Sequence, residues 1–232
     1  MKLLLTSVGI SNDSIRAALV DLLGKPTAAC KAIGVPTAIY ALPGGNADSW
    51  LMLRELANIG WQEFGVLELT ALPSLLEEHW LPAVEAADII IVGGGNTGYL
   101  SHWMFASGLA AKLPQLLQDK VYLGVSAGGA VVTHSLNVSR EVFERTGVYY
   151  DDEYDEAAPL NAGSDRTLGL VDFVIRPHLN ADYFPAATLE TFAAAAAKVR
   201  VPLYAFDDQS AIKVVDGVVE VISEGEWHLF EK

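Results

Sequence analysis

Short apolar runs alternate with amphipathic segments along most of this chain. Mainly apolar runs that are typical of buried strands occur at residues 2–6, 31–37, 65–69, 88–92, 121–125, 170–175 and 203–206. Segments with apolar residues on one helical face lie between them, at residues 13–23, 47–58, 75–87 (interrupted or capped near Pro82), 99–106, 109–117 and 185–199. This alternation predicts an α/β fold, a three-layer α/β/α sandwich in which helices cover both faces of a mostly parallel sheet.

The end of the chain changes to strands joined by tight turns. Alternating apolar residues at 211–215 and 218–223 flank Asp216-Gly217, a dipeptide that is typical of two-residue hairpin turns. We therefore predict a C-terminal β-hairpin, followed by a terminal edge strand around His228. Neither a repeat nor a linker interrupts the pattern, so the sequence predicts a single domain over residues 1–232.

The strand predicted at 121–125 runs into a Gly-x-Ser-x-Gly motif formed by Gly124, Ser126 and Gly128. Small residues that can begin a helix follow it. This is the pattern of a nucleophile elbow, a tight strand-to-helix turn that exposes the serine hydroxyl. Glycine suits such a turn because it has no Cβ to crowd it. The alternative is an ordinary glycine-rich turn in which Ser126 only caps the helix.

In parallel sheets, sites lie outside the carboxyl ends of the strands, so candidate residues should directly follow a strand. A glycine run at 93–95 follows the strand at 88–92. We expect Gly94 or Gly95 to supply one amide of an oxyanion hole, and Ala127, at the start of the elbow helix, to supply the other. A phosphate cradle is disfavoured because no Gly-Lys-Ser/Thr follows the glycine run. A plain glycine turn stays an alternative.

A serine nucleophile needs a base within hydrogen-bonding reach, and His178 is the histidine that fits the strand-end rule. It closely follows the strand at 170–175, whereas His79, His102 and His134 lie in helical segments. The sequence therefore predicts His178 as the general base.

A carboxylate that orients the base is expected directly after the strand at 203–206, where Asp207 and Asp208 are adjacent. Neighbouring carboxylates point in different directions, so one can face the site and the other solvent. The chain order is then serine, histidine, acid. The α/β-hydrolase order would instead combine Ser126, Asp208 and His228, but His228 lies in the predicted edge strand.

Composition excludes several partners. The 232 residues include 15 Lys and Arg against 29 Asp and Glu, a net charge of −14, so nucleic acid and anionic membranes are poor partners. Hydrophobic residues make up 51% of the chain, yet no apolar stretch reaches the roughly 18 residues that span a bilayer. Cys30 is the only cysteine, which leaves no internal disulfide and no cysteine metal cluster. We expect a soluble cytoplasmic protein.

Four segments carry a family resemblance, at 92–97, 124–128, 177–178 and 207–212. Together and in this order they resemble the dipeptidase E family, the alpha-aspartyl dipeptidases among the serine peptidases. The resemblance covers most of the chain. It implies a fold similar to the class I glutamine amidotransferase domain, with serine in place of cysteine at the elbow. It also implies a triad of Ser126, His178 and Asp208.

Two features depart from the family pattern. Better-known members use glutamate as the acidic triad member, whereas this chain has aspartate. They also carry a Gly-Glu-Thr-Arg stretch shortly after the histidine. The corresponding residues of this chain, 181–190, contain no arginine. If an acidic first residue is selected, Arg176 is the nearest cation in sequence. It faces the same side as His178 in an extended segment and could grip a carboxylate with two bonds. The alternative is that Arg176 pairs with the acidic segment at 141–165 or faces solvent.

The long acidic segment at 141–165 joins the elbow helix to the strand before His178. We expect it to be mobile and to lie near the site, although a solvated surface excursion is equally consistent with its composition.

The sequence as a whole predicts a serine peptidase that hydrolyses short peptides, in the first place dipeptides and among them Asp-X, through an acyl-enzyme. We expect it to need no metal ion or organic cofactor and to be a monomer or a small homo-oligomer. An esterase or amidase could use the same triad. A non-catalytic binding protein on an amidotransferase-like scaffold is the third interpretation.

Overall fold

The computed structural model describes residues 1–42, 44–136 and 166–232, without the side chains of Asn46 and Ala47. Its strands are β1 (Lys2–Thr6), β2 (Lys31–Val35), β3 (Glu63–Val66), β4 (Ile89–Val92), β5 (Val121–Val125), β6 (Val174–Arg176), β7 (Leu203–Phe206), β8 (Ser210–Val215), β9 (Val218–Ser223) and β10 (Trp227–Phe230). Its helices are α1 (Asp13–Leu23), α2 (Gly45–Ala57), α3 (Leu81–Ala86), α4 (Thr97–Ala106), α5 (Leu109–Leu116), α6 (Ala127–Ala130) and α7 (Leu189–Ala196).

The larger sheet has the strand order β3-β2-β4-β5-β1-β8-β9. The first five strands in this order are parallel, and the hairpin of β8 and β9 adds two antiparallel strands beside β1. Asp216 and Gly217 form the hairpin turn with φ values of 49° and 85°. The prediction of a mixed α/β fold with a mostly parallel sheet and a C-terminal hairpin is therefore confirmed.

Helices on both faces of this sheet bury its central strands. All four residues of β4 are fully buried, which explains its continuous apolar sequence. Successive side chains point to opposite faces. Ile90 and Val92 pack in the core that contains α4 and α5, whereas Ile89 and Ile91 pack in the core that contains α1. The strand that leads into the glycine run at 93–95 is thus held by packing from both sides.

A second sheet has the strand order β10-β7-β6 and is a feature that the sequence did not predict. In it β6 and β7 are parallel, and β10 is antiparallel to β7. His178 and Asp208 follow strands of this small sheet, whereas Ser126 follows β5 of the large one. The candidate site therefore lies where the ends of two sheets meet.

Several predicted strands have different bounds. The strand at 31–37 ends at Val35, because Pro36 has no N–H to continue it. The strand at 170–175 begins only at Val174, because the N–H groups of Leu168 and Leu170 donate to carbonyls that follow α6, each at 2.8 Å. The strand predicted at 65–69 is found at Glu63–Val66.

Two predicted helices are shorter than expected. The segment at 75–87 contains a 3₁₀ turn at Glu77–His79 and then α3, whose first turn holds Pro82. The helix predicted at 185–199 begins after Thr188, whose side chain caps α7 by accepting the N–H of Thr191. None of the described helices is long and apolar enough to cross a membrane. The acidic segment at 141–165 lies outside the described residues.

Candidate active site

Ser126 stands between β5 and α6 in a strained backbone conformation, with φ 49° and ψ −109°. Its N–H donates to the Thr6 carbonyl at 2.9 Å, and its own carbonyl accepts the N–H groups of Gly129 and Ala130. A positive φ is costly for a residue with a side chain and persists only where the surroundings hold it. This is the sharp strand-to-helix turn that the Gly-x-Ser-x-Gly motif predicts.

The glycines on both sides of Ser126 are required by close backbone packing. A Cβ on Gly128 would lie 2.1 Å from the Val92 carbonyl oxygen, and one on Gly124 would lie 2.5 Å from the Gly128 carbonyl oxygen. Such distances are far inside van der Waals contact. The two glycines of the motif therefore allow α6 to pack this closely against β4 and β5.

His178 lies with its ring directly beside the Ser126 hydroxyl. Ser126 Oγ and His178 Nε2 are 2.9 Å apart, a hydrogen-bonding distance. His178 has a φ of 64°, and its side chain is only 8% exposed. This left-handed residue directly follows Pro177, and its ring lies beside the residue that follows β5.

Asp208 contacts the other ring nitrogen of His178. Its Oδ1 lies 3.0 Å from His178 Nδ1. Burial would raise the pKa of Asp208, but hydrogen bonds from His178, Ser7 and Tyr183 outweigh it and lower the pKa to about 2 from 3.8. The carboxylate is therefore ionised at neutral pH, and it can only accept hydrogen bonds.

Asp207 is directed elsewhere and holds a turn together. Its Oδ1 accepts the Gln209 N–H at 3.0 Å and the Ser210 hydroxyl at 2.6 Å, and its Oδ2 accepts the Glu226 N–H at 2.7 Å. These bonds tie the connection between β7 and β8 to the start of β10. Of the two adjacent aspartates, it is Asp208 that the structure brings to His178.

The backbone around the nucleophile offers unpaired donors. A Cβ on Gly94 would lie 3.3 Å from the Cβ of Ser126, so this residue lies against the nucleophile. Within the described residues, the amides of Gly94 and Gly95 have no backbone acceptor, whereas those of Gly93 and Asn96 donate to Val35 and Ala38. The N–H of Ala127 is at the first position of α6 and has no acceptor inside the helix.

Arg176, the last residue of β6, is 1% exposed and so does not face solvent. One guanidinium nitrogen, Nη1, donates to the Ile175 carbonyl at 3.2 Å. A buried guanidinium is costly unless it is paired, so this arginine is held for a structural or a recognition reason.

The remaining histidines are not brought to Ser126. His228 lies in β10 opposite Ala205, and its ring packs on Phe230 with the centroids 4.4 Å apart. His134 lies 3.8 Å from Asp172. The hydrolase-type order through His228 is therefore not the arrangement that the chain adopts.

Two site residues escaped the sequence analysis. Ser7 directly follows β1, and its Oγ lies 2.9 Å from His178 Nδ1 and donates to Asp208. The strand-end rule that selected His178 would also have found Ser7. The Tyr183 hydroxyl donates to Asp208 and lies 3.0 Å from His178 Nδ1. Tyr183 sits in an irregular segment, where no sequence pattern could have revealed it.

The described residues contain no group of three or more His, Cys, Asp or Glu side chains that could hold a metal ion. At the strand ends a serine hydroxyl, an imidazole and a carboxylate lie in a hydrogen-bonded series. Such a series can remove a proton from the hydroxyl and stabilise the imidazolium that results.

Comparison with solved structures shows the same fold in two proteins. One is described as a candidate peptidase E protein from Listeria monocytogenes EGD-e, with a TM-score of 0.67, 20% identity, and coverage of 97% of this chain and 98% of that chain. The other is described as a peptidase from an acI-B1 Actinobacterium, with a TM-score of 0.66, 17% identity, and coverage of 99% and 90%. No match was found among curated proteins.

A family model gives the more specific result. The model of Peptidase family S51 matches residues 3–222, nearly the whole chain, and the match includes Ser126, His178 and Asp208. The resemblance seen in the sequence is thereby confirmed, and the chain belongs to Peptidase family S51, which makes it a peptidase of the serine class.

Proposed function

We propose that this peptidase hydrolyses short peptides, in the first place dipeptides, with Ser126 as nucleophile, His178 as general base and Asp208 as the residue that orients the base. The observation that carries the proposal is the continuous series of hydrogen-bonding distances from Ser126 Oγ to His178 Nε2, 2.9 Å, and from His178 Nδ1 to Asp208 Oδ1, 3.0 Å. The strained backbone of Ser126 supports it as well, because such strain is concentrated at functional sites.

The ionised Asp208 determines which nitrogen of His178 carries the proton. A carboxylate accepts and does not donate, so Nδ1 carries the hydrogen and Nε2 presents its lone pair to Ser126. That is the tautomer a general base needs. Ser126 Oγ then attacks the scissile carbonyl carbon while Nε2 takes the hydroxyl proton, which gives a tetrahedral oxyanion and an imidazolium.

Collapse of the tetrahedral intermediate breaks the C–N bond. His178 returns its proton to the leaving amine, and the acyl group stays on Ser126 as an ester. Water then attacks this ester with His178 again as base, and Ser126 leaves with the proton. The products are the free acid and the free amine, and the enzyme is restored.

The oxyanion is assigned to backbone amides on two sides of Ser126. The amide of Ala127 begins α6, and the amides of Gly94 and Gly95 belong to the loop that lies against the nucleophile. Preorganised donors of this kind stabilise the charge that develops in the transition state, and each contributes on the order of 10²–10³ in rate.

Selection of an acidic first residue is assigned to Arg176. A buried carboxylate of a substrate needs a cation, and a guanidinium can bind it with two parallel hydrogen bonds. Cytoplasmic location and a monomeric or small homo-oligomeric state stay predictions from the sequence.

The test combines covalent labelling with a substrate screen. A fluorophosphonate should label Ser126, and Ser126→Ala should abolish both labelling and hydrolysis, whereas Ser74→Ala, on an exposed turn, should change neither. Dipeptides with varied first residues, screened beside amides and esters of the same acyl groups, separate a peptidase from an esterase or amidase. Labelling at another serine, or activity retained in Ser126→Ala, would refute the assignment.

A further inference from the structure

Ser7 is carried to the site by the pairing of β1 with β5. Thr6 lies opposite Val125 in this parallel pair, and the Ser126 N–H donates to the Thr6 carbonyl at 2.9 Å. The residue that follows β1 is therefore placed beside the residue that follows β5. Ser7 is 1% exposed, so its hydroxyl must be satisfied inside the protein.

The Ser7 hydroxyl contacts three groups of the proposed triad. It accepts the backbone N–H of His178 at 3.0 Å, lies 2.9 Å from His178 Nδ1 and donates to Asp208 Oδ1. The accepted N–H belongs to a residue with a φ of 64°. Ser7 thus supports the strained backbone of the base and the carboxylate that orients its ring.

The Asp208 carboxylate accepts a hydrogen from each of its three side-chain partners. An ionised Asp208 brings no hydrogen of its own, so the hydrogens in the contacts with Ser7, Tyr183 and His178 Nδ1 come from those three partners. Ser7 and the ring share Oδ1, while Tyr183 binds Oδ2. The carboxylate is thereby fixed at both oxygens before it meets the ring.

We propose that Ser7 is a positioning residue of the peptidase, which holds the Asp208 carboxylate and the His178 backbone in register so that Nε2 stays directed at Ser126. The inference rests on the proposed function. It also accounts for an aspartate as the acidic member of the triad, because a short side chain reaches the His178 ring only from a fixed position. The hydrogen bonds from Ser7 and Tyr183 fix the carboxylate in that position. Ser7 does not contact the scissile bond in this arrangement.

The first test compares substitutions of equal shape. Thr and Val fill nearly the same volume, but only Thr keeps a hydroxyl, so Ser7→Thr and Ser7→Val separate hydrogen bonding from packing. We expect kcat to be at least about 10-fold higher in Ser7→Thr than in Ser7→Val, and Ser7→Ala to lose about 10²-fold in kcat with KM nearly unchanged, because misplacement of a catalytic group by about 1 Å has an effect of this size.

A second readout distinguishes positioning from a merely structural role. Without the Ser7 donor, the Asp208 carboxylate retains more negative charge for the imidazolium, so the acidic limb of the kcat/KM pH profile should move to higher pH in Ser7→Ala. The rate of fluorophosphonate labelling should fall in parallel with kcat, because labelling needs an activated Ser126 but no peptide binding.

The outcomes separate this inference from the function on which it rests. If Ser126→Ala is inactive while Ser7→Ala keeps kcat within about twofold of the wild type, Ser7 has no positioning role and the triad stands. The same conclusion follows if Ser7→Val and Ser7→Thr have equal kcat and the pH profile of Ser7→Ala is not shifted. If Ser126→Ala remains active, the proposed function itself fails. Thermal unfolding of each variant checks that losses of kcat occur in folded protein.

Discussion

Asp207 and Asp208 allow a test in which the same chemical change is made at two neighbouring positions. Asp→Asn removes one negative charge in both cases and leaves the side-chain volume nearly the same. The structure predicts opposite consequences, because the two carboxylates serve different partners. Asp208→Asn should lower kcat by orders of magnitude, whereas Asp207→Asn should lower the melting temperature and leave kcat nearly unchanged.

The loss for Asp208→Asn follows from its donors. Oδ1 accepts the Ser7 hydroxyl and faces His178 Nδ1, while Oδ2 accepts the Tyr183 hydroxyl. Whichever oxygen the substitution replaces with NH₂, the new amide group therefore faces a hydrogen-bond donor. If it faces Nδ1, the ring is forced into the tautomer with its hydrogen on Nε2, which cannot take the Ser126 proton. A wrong tautomer of this kind lowers kcat by about 10⁴ in the chymotrypsin family, and we expect a loss of that order here.

Asp207→Asn affects the three hydrogen bonds that the Asp207 carboxylate accepts. An amide keeps one oxygen, so at least one of the N–H groups of Gln209 and Glu226 loses its acceptor. A hydrogen bond to a charged group contributes about 1.5–3 kcal/mol. For a chain of this size we expect the melting temperature to fall by roughly 3–12 °C, because each kcal/mol corresponds to about 2–4 °C. The value of kcat should change by less than about fivefold.

The assay measures kcat on a dipeptide that the wild type cleaves, together with thermal unfolding, for both variants. Asp208→Asn should lose nearly all of kcat in protein that still unfolds cooperatively, whereas Asp207→Asn should show a lower melting temperature with nearly unchanged kcat. Equal losses of kcat, or the larger loss in Asp207→Asn, would refute the placement of Asp208 as the residue that orients His178.

The remaining predictions concern the oxyanion loop, acid stability and substrate charge. Gly94→Ala would place a Cβ 3.3 Å from that of Ser126, so kcat should fall about 10-fold with little change in melting temperature; an unchanged kcat would contradict a role of this loop in the site. The folded pKa of Asp208 is lowered from 3.8 to about 2, so its stabilisation of about 2 kcal/mol is present above pH 4 and is lost as the pH falls toward 2. Denaturant unfolding at pH 5 and pH 2 should show a larger loss for wild type than for Asp208→Asn, and equal losses would contradict this linkage. If Arg176 selects an acidic first residue, the ratio of kcat/KM for Asp-Leu to that for Leu-Leu should fall at least about 10-fold in Arg176→Ala, whereas a ratio retained in full would show that Arg176 is not the selector.

The sequence by itself determined the features that depend on neighbouring residues. The alternation of apolar runs and amphipathic segments specifies strands and helices, because burial requires one face of each to be apolar. Gly124 and Gly128 specify the elbow, since backbone atoms occupy the space of a Cβ at both positions. Asp216-Gly217 specifies the hairpin because both residues adopt a positive φ. The strand-end rule also named Ser126, His178 and the pair of adjacent aspartates.

Only the tertiary structure decided which strand ends meet. Apolar patterning buries a strand but does not select its neighbour, so the separate sheet of β6, β7 and β10 could not be predicted. Likewise Ser7 is 119 positions from Ser126 in the chain, and only the parallel pairing of Thr6 with Val125 places them side by side. The choice between Asp207 and Asp208 depends on side-chain direction at the junction of two sheets, where each carboxylate is drawn to the donors that the fold presents.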